Sequence, residues 1–224
     1  MNRYLRRLVD HTNEASLSTA FRRRRFRLFL ELIAPLPRPV TILDVGGEPR
    51  FWEVMGLAGD PDLQVVLLNQ QPFQITWPNL RFELGDAADL SRFTDRQFAA
   101  IFSNSVIEHL GSYARQQRMA AEMQRVGKNY FVQTPNRYFP LEPHYLLPFF
   151  QFYPQRLQIA LLQHFDLGWY KKMPDREQAA QHVRSHRLLS EREMRLLFPN
   201  GRLYKETVLG VVKSIIAYGA AFVG

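Results

Sequence analysis

The chain has 224 residues, of which 46% are hydrophobic and 22% charged, enough for one globular domain with a sizeable core. It contains no cysteine, so disulfides, thiolate zinc sites, iron–sulfur clusters and a cysteine nucleophile are excluded. The formal net charge is +8, and the first 40 residues hold nine arginines against three acidic residues. The basic character therefore belongs to an amino-terminal arm, and the nearly neutral charge of the remaining residues disfavours a nucleic-acid partner.

Residues 1–37 are predicted to form this basic helical arm. Apolar residues recur at helical spacing in two stretches, Tyr4, Leu5, Leu8 and Val9, then Phe26, Phe29, Leu30 and Ile33. Most arginines of the second stretch fall on other faces: Arg23, Arg24 and Arg27. Either the arm lies on an anionic membrane or partner, or it packs on the domain and leaves its arginines solvated.

The amino-terminal residues also give an expectation for where the protein is located. Its first residues lack the apolar core of a signal peptide, and no run of about 18 apolar residues occurs in the chain. We therefore expect a cytoplasmic protein. Peripheral contact with the inner membrane face, through the arm, is one interpretation of its charge.

Residues 40–49 are predicted to form a buried strand that runs into a glycine turn. Asp44 stands near the end of the strand, where open parallel sheets place their ligands. Gly46 and Gly47 let the backbone approach a ligand closely. The phosphate-binding pattern G-x-G-x-x-G is absent, and a carboxylate suits a cofactor that carries a cationic group. The alternative is that Asp44 only caps the following helix.

Strands and helices then alternate along a domain that is predicted to cover residues 38–224. Further strands are expected at 64–69, 80–84, 98–103 and 129–133, with helices at 51–57 and 112–126. A last helix follows Ser190, which forms a capping box with Glu193, and strands 202–208 and 211–218 form a hairpin. The fold class is therefore α/β: a Rossmann-like, seven-stranded, mostly parallel sheet with a C-terminal antiparallel hairpin and helices on both faces.

An aromatic and proline-rich insertion is predicted at residues 135–187. Its aromatic side chains either pack as core or wall a substrate pocket. His182 and His186 are four residues apart, which is a metal-like spacing, but the glutamate of the H-E-x-x-H motif is missing. We predict that both histidines lie on the surface, and we predict no metal site.

Between about residues 38 and 218 the chain resembles the class I S-adenosylmethionine-dependent methyltransferases, in their bacterial small-molecule branch. Three segments carry the resemblance in the family's order: Ile-Leu-Asp-Val-Gly-Gly at 42–47, Gly-Asp-Ala at 85–87, and Phe-Ser-Asn-Ser-Val-Ile-Glu-His-Leu at 102–110. The segment at 133–144 resembles a bacterial subset that is often connected with glycan or lipid modification. The resemblance implies S-adenosylmethionine as cofactor and S-adenosylhomocysteine as its product.

Family roles at the methionine end of the cofactor fall on five residues. The resemblance implies that Asp44 holds the methionyl amino group, directly or through water. The backbone of Gly46 and Gly47 would line the same end, and Ser103 and Asn104 would lie beside the methionine moiety.

At the other end, Asn69 stands where the family usually has an acid for the ribose hydroxyls. The resemblance implies that Asp86 accepts from the adenine amino group and that Ala87 lies against the ring; an ordinary turn is the other explanation of Asp86. Glu48 and Arg50 replace two of the family's glycines.

The resemblance implies methyl transfer by in-line displacement, to an oxygen or nitrogen of a small molecule, glycan or lipid-linked acceptor. Glu108, His109 and His144 are the candidate catalytic residues, and either histidine is a candidate general base because imidazole titrates near neutral pH. Glu108 and His109 could instead only cap a turn. Two other functions stay open: a degenerate methyltransferase fold that acts as a non-catalytic binding module, and an RNA-directed methyltransferase.

Overall fold

The structure, a computed structural model, describes residues 17–220. The apolar positions predicted between Tyr4 and Val9 lie outside these residues. Within residues 17–220, no helix combines the length and the apolar character that crossing a membrane requires.

In the described part of the chain, nine strands form two sheets. Their bounds are β1 (Val40–Val45), β2 (Leu63–Asn69), β3 (Leu80–Leu84), β4 (Ala100–Asn104), β5 (Asn129–Pro135), β6 (Leu141–Glu142), β7 (Leu147–Pro148), β8 (Arg202–Val208) and β9 (Val211–Ala220). The main sheet has the order β3-β2-β1-β4-β5-β9-β8. Its first five strands are parallel, and β9 runs antiparallel to both β5 and β8. The predicted seven-stranded sheet with its terminal hairpin is confirmed.

Between residues 17 and 220, six α-helices accompany the strands: α1 (Leu17–Ile33), α2 (Pro49–Val54), α3 (Tyr113–Val126), α4 (Gln155–His164), α5 (Arg176–Ser185) and α6 (Glu191–Leu197). Helices α1 and α2 pack on one face of the main sheet, and α3 and α6 pack on the other. Because side chains alternate across a strand, β1 serves both faces, with Ile42 in one core and Leu43 in the other. The prediction of helices on both faces is confirmed.

Two helix starts follow the sequence closely. Ser112 accepts a hydrogen bond from the backbone N–H of Arg115 and begins α3. Ser190 and Glu193 form the predicted capping box at the start of α6. By contrast, helix α2, the first crossover helix, begins and ends earlier than the predicted 51–57, because Pro49 fixes its first turn.

Helix α1 lies on the sheet through one apolar face. Phe26, Phe29 and Ile33 are buried, whereas Arg24 and Arg27 are exposed. The apolar periodicity therefore describes the packing of this helix on its own domain.

The insertion packs around a third apolar cluster. The small β6–β7 sheet, α4 and α5 surround Tyr145 and Phe150, which are buried, while Phe149 and Phe152 are exposed. Some of the predicted aromatic residues are thus core and others face solvent.

Candidate functional site

Asp44 is a buried carboxylate near the end of β1. The indole Nε1 of Trp52, in α2, donates to its Oδ2 at 2.8 Å. Burial raises the pKa of Asp44 to about 7; the Trp52 bond opposes this rise and the charge of Glu48 adds to it. Among residues 17–220, no lysine or arginine forms an ion pair with Asp44. A cationic amino group is the ligand that this carboxylate fits.

The turn after β1 requires both glycines. Gly46 has a φ of +80°, and a Cβ there would lie 2.3 Å from Cγ2 of Val106. A Cβ on Gly47 would lie 2.5 Å from the carboxylate of Asp44. The backbone therefore stays close to Asp44, and the residues present fit the methionine end of S-adenosylmethionine.

The neighbouring strand ends hold this turn in place. The amide of Asn69 donates to the carbonyl oxygen of Gly47 at 3.2 Å, and the hydroxyl of Ser103 donates to the carbonyl oxygen of Val45 at 3.1 Å. Asn104 accepts from Arg25 at 2.9 Å. Asn69, Ser103 and Asn104 thus lie around the same sheet edge as Asp44. Their predicted contacts with the cofactor stay a prediction.

Asp86 follows β3 and forms a bidentate pair with Arg115, at 3.0 and 2.7 Å. Its Oδ1 also accepts from the backbone N–H of Ala88. Burial opposes ionisation, but these bonds outweigh it and lower the pKa of Asp86. The adenine amino group would have to share this carboxylate with Arg115. The neighbouring Ala87 is buried, and the adenine contacts of both residues stay predictions.

A cluster of imidazoles stands at the same edge of the sheet. His109 lies in a 3₁₀ turn after β4, His144 in the insertion, and His186 just past α5. One ring nitrogen from each lies within 4.8 Å of the other two. The prediction that His182 and His186 lie on the surface is wrong: both are half-buried. Their spacing places them on one helix side, and it cannot reveal that the insertion covers that side.

Polar partners orient two of these rings. Nδ1 of His144 lies 2.7 Å from Oε1 of Glu142. Nδ1 of His186 lies 2.9 Å from the carbonyl oxygen of His182, which accepts its proton. The hydroxyl of Tyr170 is 3.0 Å from Nε2 of His186. Because these acceptors place a proton on Nδ1, the lone pair of each ring is on Nε2, and in His186 that lone pair accepts from the hydroxyl of Tyr170.

The pKa values of the three rings shift in different directions. Loss of hydration lowers the pKa of His109 to about 3 although this residue is partly exposed, and His144 and His186 lower it further. Burial likewise lowers the pKa of His186 to about 4. For His144, burial acts in the same direction, but the hydrogen bond to Glu142 and the charges of Glu142 and Glu108 outweigh it and raise the pKa.

Glu108 is buried beside this cluster. Thr134 donates to its Oε2 at 3.0 Å, and Oε1 has no hydrogen-bond partner among residues 17–220. Burial raises the pKa of Glu108 to about 7, and the charge of His144 opposes that rise.

A cavity of about 170 Å³ opens on the insertion side of the cluster and is lined in part by Glu142, Tyr145 and His186. The structure thus brings together the three predicted catalytic residues, and it adds Glu142, His186 and Tyr170. The sequence did not predict these three as site residues: His186 was noted for its metal-like spacing from His182 but assigned to the surface. The spacing Glu142-x-His144 was a second local signal, whereas Tyr170 lies more than 20 residues further along the chain.

Comparisons with known proteins agree with this architecture. Residues 48–130 match a family model that describes a methyltransferase domain. None of the curated proteins matches the sequence.

Among solved structures, a protein from Pyrococcus horikoshii is 16% identical with a TM-score of 0.56, over 99% of this chain and 100% of that one. A methyltransferase from Aquifex aeolicus, described as dependent on S-adenosylmethionine, is 14% identical with a TM-score of 0.51, over 88% and 89%. A Haloferax volcanii complex of the Trm112 methyltransferase activator with a candidate methyltransferase is 13% identical with a TM-score of 0.54, over 91% and 92%. At these identities the structures establish the shared fold.

Proposed function

We propose that this chain is a class I S-adenosylmethionine-dependent methyltransferase, as its match to a methyltransferase-domain model supports, and that it methylates a hydroxyl oxygen of a small molecule, glycan or lipid-linked acceptor. The observation that carries the proposal is the Glu142–His144 pair, which stands in the imidazole cluster at the same sheet edge as Asp44. An alcohol must lose a proton when its oxygen is methylated, whereas a neutral amine can attack through its lone pair. An oriented base therefore favours oxygen over nitrogen.

The chain's own residues would bind and orient the cofactor. Asp44 would pair with the methionyl ammonium, and the backbone of Gly46 and Gly47 would line the same end. Asn69 and Asp86 would meet the ribose and adenine. When bound, S-adenosylmethionine supplies a methyl group that its sulfonium makes electrophilic.

In the ion-free protein, His144 is the ring best suited to take the acceptor's proton. Its Nδ1 is held by Glu142, so Nε2 is the atom that would receive the proton. The raised pKa of His144 makes it a stronger base than His109 or His186. Exposed His109 would be the first of the cluster that an acceptor meets.

The test is transfer of labelled methyl from S-adenosylmethionine to fractions of glycans, lipids and small hydroxylated compounds. We expect His144→Gln to lower turnover by about 100-fold or more, which is the scale of a lost general base, with the cofactor Kd unchanged. His164→Gln is the matched control, because His164 is exposed on α4. Full turnover in His144→Gln, or labelling confined to amines or RNA, would contradict the proposal.

We also propose that the basic arm makes peripheral membrane contact, supported by the exposed side chains of Arg23, Arg24 and Arg27. The expected result is co-sedimentation of the full chain with anionic vesicles and none with neutral ones. Replacing the three arginines by glutamine should reduce binding; a triple change at the exposed Arg156, Arg176 and Arg192 is the control. If both triple variants co-sediment equally with anionic vesicles, the proposed membrane contact of the arm is wrong.

A further inference from the structure

We propose that His109, His144 and His186 form a binding site for a divalent transition-metal ion of the zinc class, and that the ion binds and activates the acceptor's hydroxyl. The second part rests on the proposed function; the metal site itself does not. Imidazole nitrogens are preferred ligands of zinc and its neighbours, whereas magnesium and calcium take oxygen ligands.

The geometry of the three rings supports the site. Their centroids are 4.9, 4.7 and 4.9 Å apart for the pairs His109–His144, His109–His186 and His144–His186. The ligand nitrogens lie within 4.8 Å of one another. A tetrahedral ion with Zn–N bonds of about 2.0–2.1 Å needs these nitrogens about 3.4 Å apart. Inward movements of about 1 Å by the side chains would therefore bring all three nitrogens to bonding distance from one ion.

The hydrogen bonds around the rings match those of ligating histidines. Such a histidine usually donates its other N–H to a carboxylate or a backbone carbonyl. His144 makes this bond to Glu142, and His186 makes it to the carbonyl oxygen of His182. In the ion-free protein the hydroxyl of Tyr170 donates to Nε2 of His186. This hydrogen bond would break when the Nε2 lone pair binds an ion.

The acidic residues near the three rings and the exposure of His109 also favour a metal site. Glu108 is fully buried next to His109, and its Oε1 has no hydrogen-bond partner in the part of the chain that the structure describes. Together with Glu142 it places two carboxyl groups close to the proposed cation. His109 is exposed, so an ion can enter, and three protein ligands leave a coordination position open, which is the arrangement of catalytic rather than structural zinc sites.

At that open position the ion would bind the acceptor's hydroxyl oxygen and lower its pKa. The O–H bond then breaks and its proton passes to solvent. The oxygen forms a bond to the methyl carbon as the carbon–sulfur bond breaks, and S-adenosylhomocysteine leaves with the electron pair on sulfur. With an ion on Nε2, His144 serves as a ligand, and the ion takes over the activation of the hydroxyl that the imidazole of His144 performs in the ion-free protein.

The site can be tested without cofactor or acceptor. Full-length protein without a histidine tag, stripped with chelator, is titrated with Zn²⁺ by calorimetry and with Co²⁺ by visible absorption. We expect one ion per chain and the absorption bands of four-coordinate cobalt. His109→Asn should abolish the bands, and Glu142→Gln, which removes a carboxylate behind the ligand, should weaken zinc binding by about 10- to 100-fold.

His164→Gln is the control and should bind as the wild type does. His109→Asn is the key variant, because an exposed side chain can be changed without loss of the fold; circular dichroism verifies this. Equal cobalt spectra for wild type and His109→Asn would overturn the metal site. Stoichiometric binding without any methyl transfer would leave the metal site standing and reject the proposed function. Full methyl transfer in metal-free protein would instead reject the catalytic role of the ion.

Discussion

Replacing Asp44 by asparagine is expected to weaken S-adenosylmethionine binding by at least about 30-fold. The substitution keeps the shape of the side chain and an oxygen for the Trp52 bond, but it removes the charge that we propose to pair with the methionyl ammonium. Loss of one partner of a buried, hydrogen-bonded charge pair costs about 2–5 kcal/mol, and 1.4 kcal/mol corresponds to tenfold in Kd. Calorimetric titration measures the change directly.

Asp62→Asn is the matched control, because Asp62 is exposed and precedes β2, at the other end of the strands from Asp44. Its Kd should equal that of the wild type. If Asp44→Asn binds as tightly as Asp62→Asn, Asp44 does not hold the cofactor's amino group and the assignment is wrong.

The raised pKa of Asp44 gives the same site a pH dependence. An ammonium ligand favours the ionised carboxylate, so binding below pH 7 must expel a proton. Affinity should therefore fall by up to about tenfold for each pH unit below 7, and the Asp44-dependent part of this fall should vanish in Asp44→Asn. Conversely, a carboxyl with a raised pKa stabilises the cofactor-free fold most at low pH, and this contribution is lost as pH rises through 7. Calorimetric titrations with S-adenosylmethionine in buffers of different ionisation enthalpy measure the number of protons released per cofactor bound.

The sheet and the glycine turn could be predicted because their causes are local in sequence. A run of apolar residues identifies a buried strand, and the acid and paired glycines after it identify the carboxyl-end edge where ligands bind. Asp44, Gly46 and Gly47 occupy the places that these rules assign. The capping box of Ser190 and Glu193 was equally readable, since both partners lie within one helical turn.

The imidazole cluster could not be predicted because three separate segments build it. His109 and His144 could be singled out from the sequence, but only folding of the insertion brings His186 to them. Helical spacing showed that His182, in α5, and His186, just past its end, face the same side, and it gave no information about what covers that side. Burial of that side by Tyr145 and Tyr170 reverses the surface assignment.

A second feature hidden from the sequence is the destination of Arg25. It lies among exposed arginines on α1, yet its side chain is buried and points to the hairpin and the tip of β4. Its Nε and Nη2 donate to Oε1 and Oε2 of Glu206 at 3.2 and 3.1 Å, and its Nη1 donates to Asn104 at 2.9 Å. Ser214 also donates to Glu206. One guanidinium thus joins the arm helix, the C-terminal strands and the candidate site.

Removing that guanidinium should produce the largest loss of stability that we predict. Arg25→Met leaves the carboxylate of Glu206 buried without its cation, and breaking a buried ion pair in this way costs about 3–5 kcal/mol. At roughly 2–4 °C per kcal/mol for a chain of this size, the melting temperature should fall by about 6–20 °C. Urea unfolding followed by circular dichroism gives the free energy.

Arg24→Met is the control for this change, because the neighbouring Arg24 is exposed and should unfold like the wild type. The double variant Arg25→Met with Glu206→Leu removes both charges and so leaves no buried carboxylate without a cation. Replacing a buried ion pair by apolar residues is often neutral or stabilising, so the double variant should regain much of the stability that Arg25→Met loses. A double variant as unstable as Arg25→Met alone would mean that the stability came from the bond to Asn104 or from packing. The ion pair with Glu206 would then not be the source of the stability that Arg25 provides.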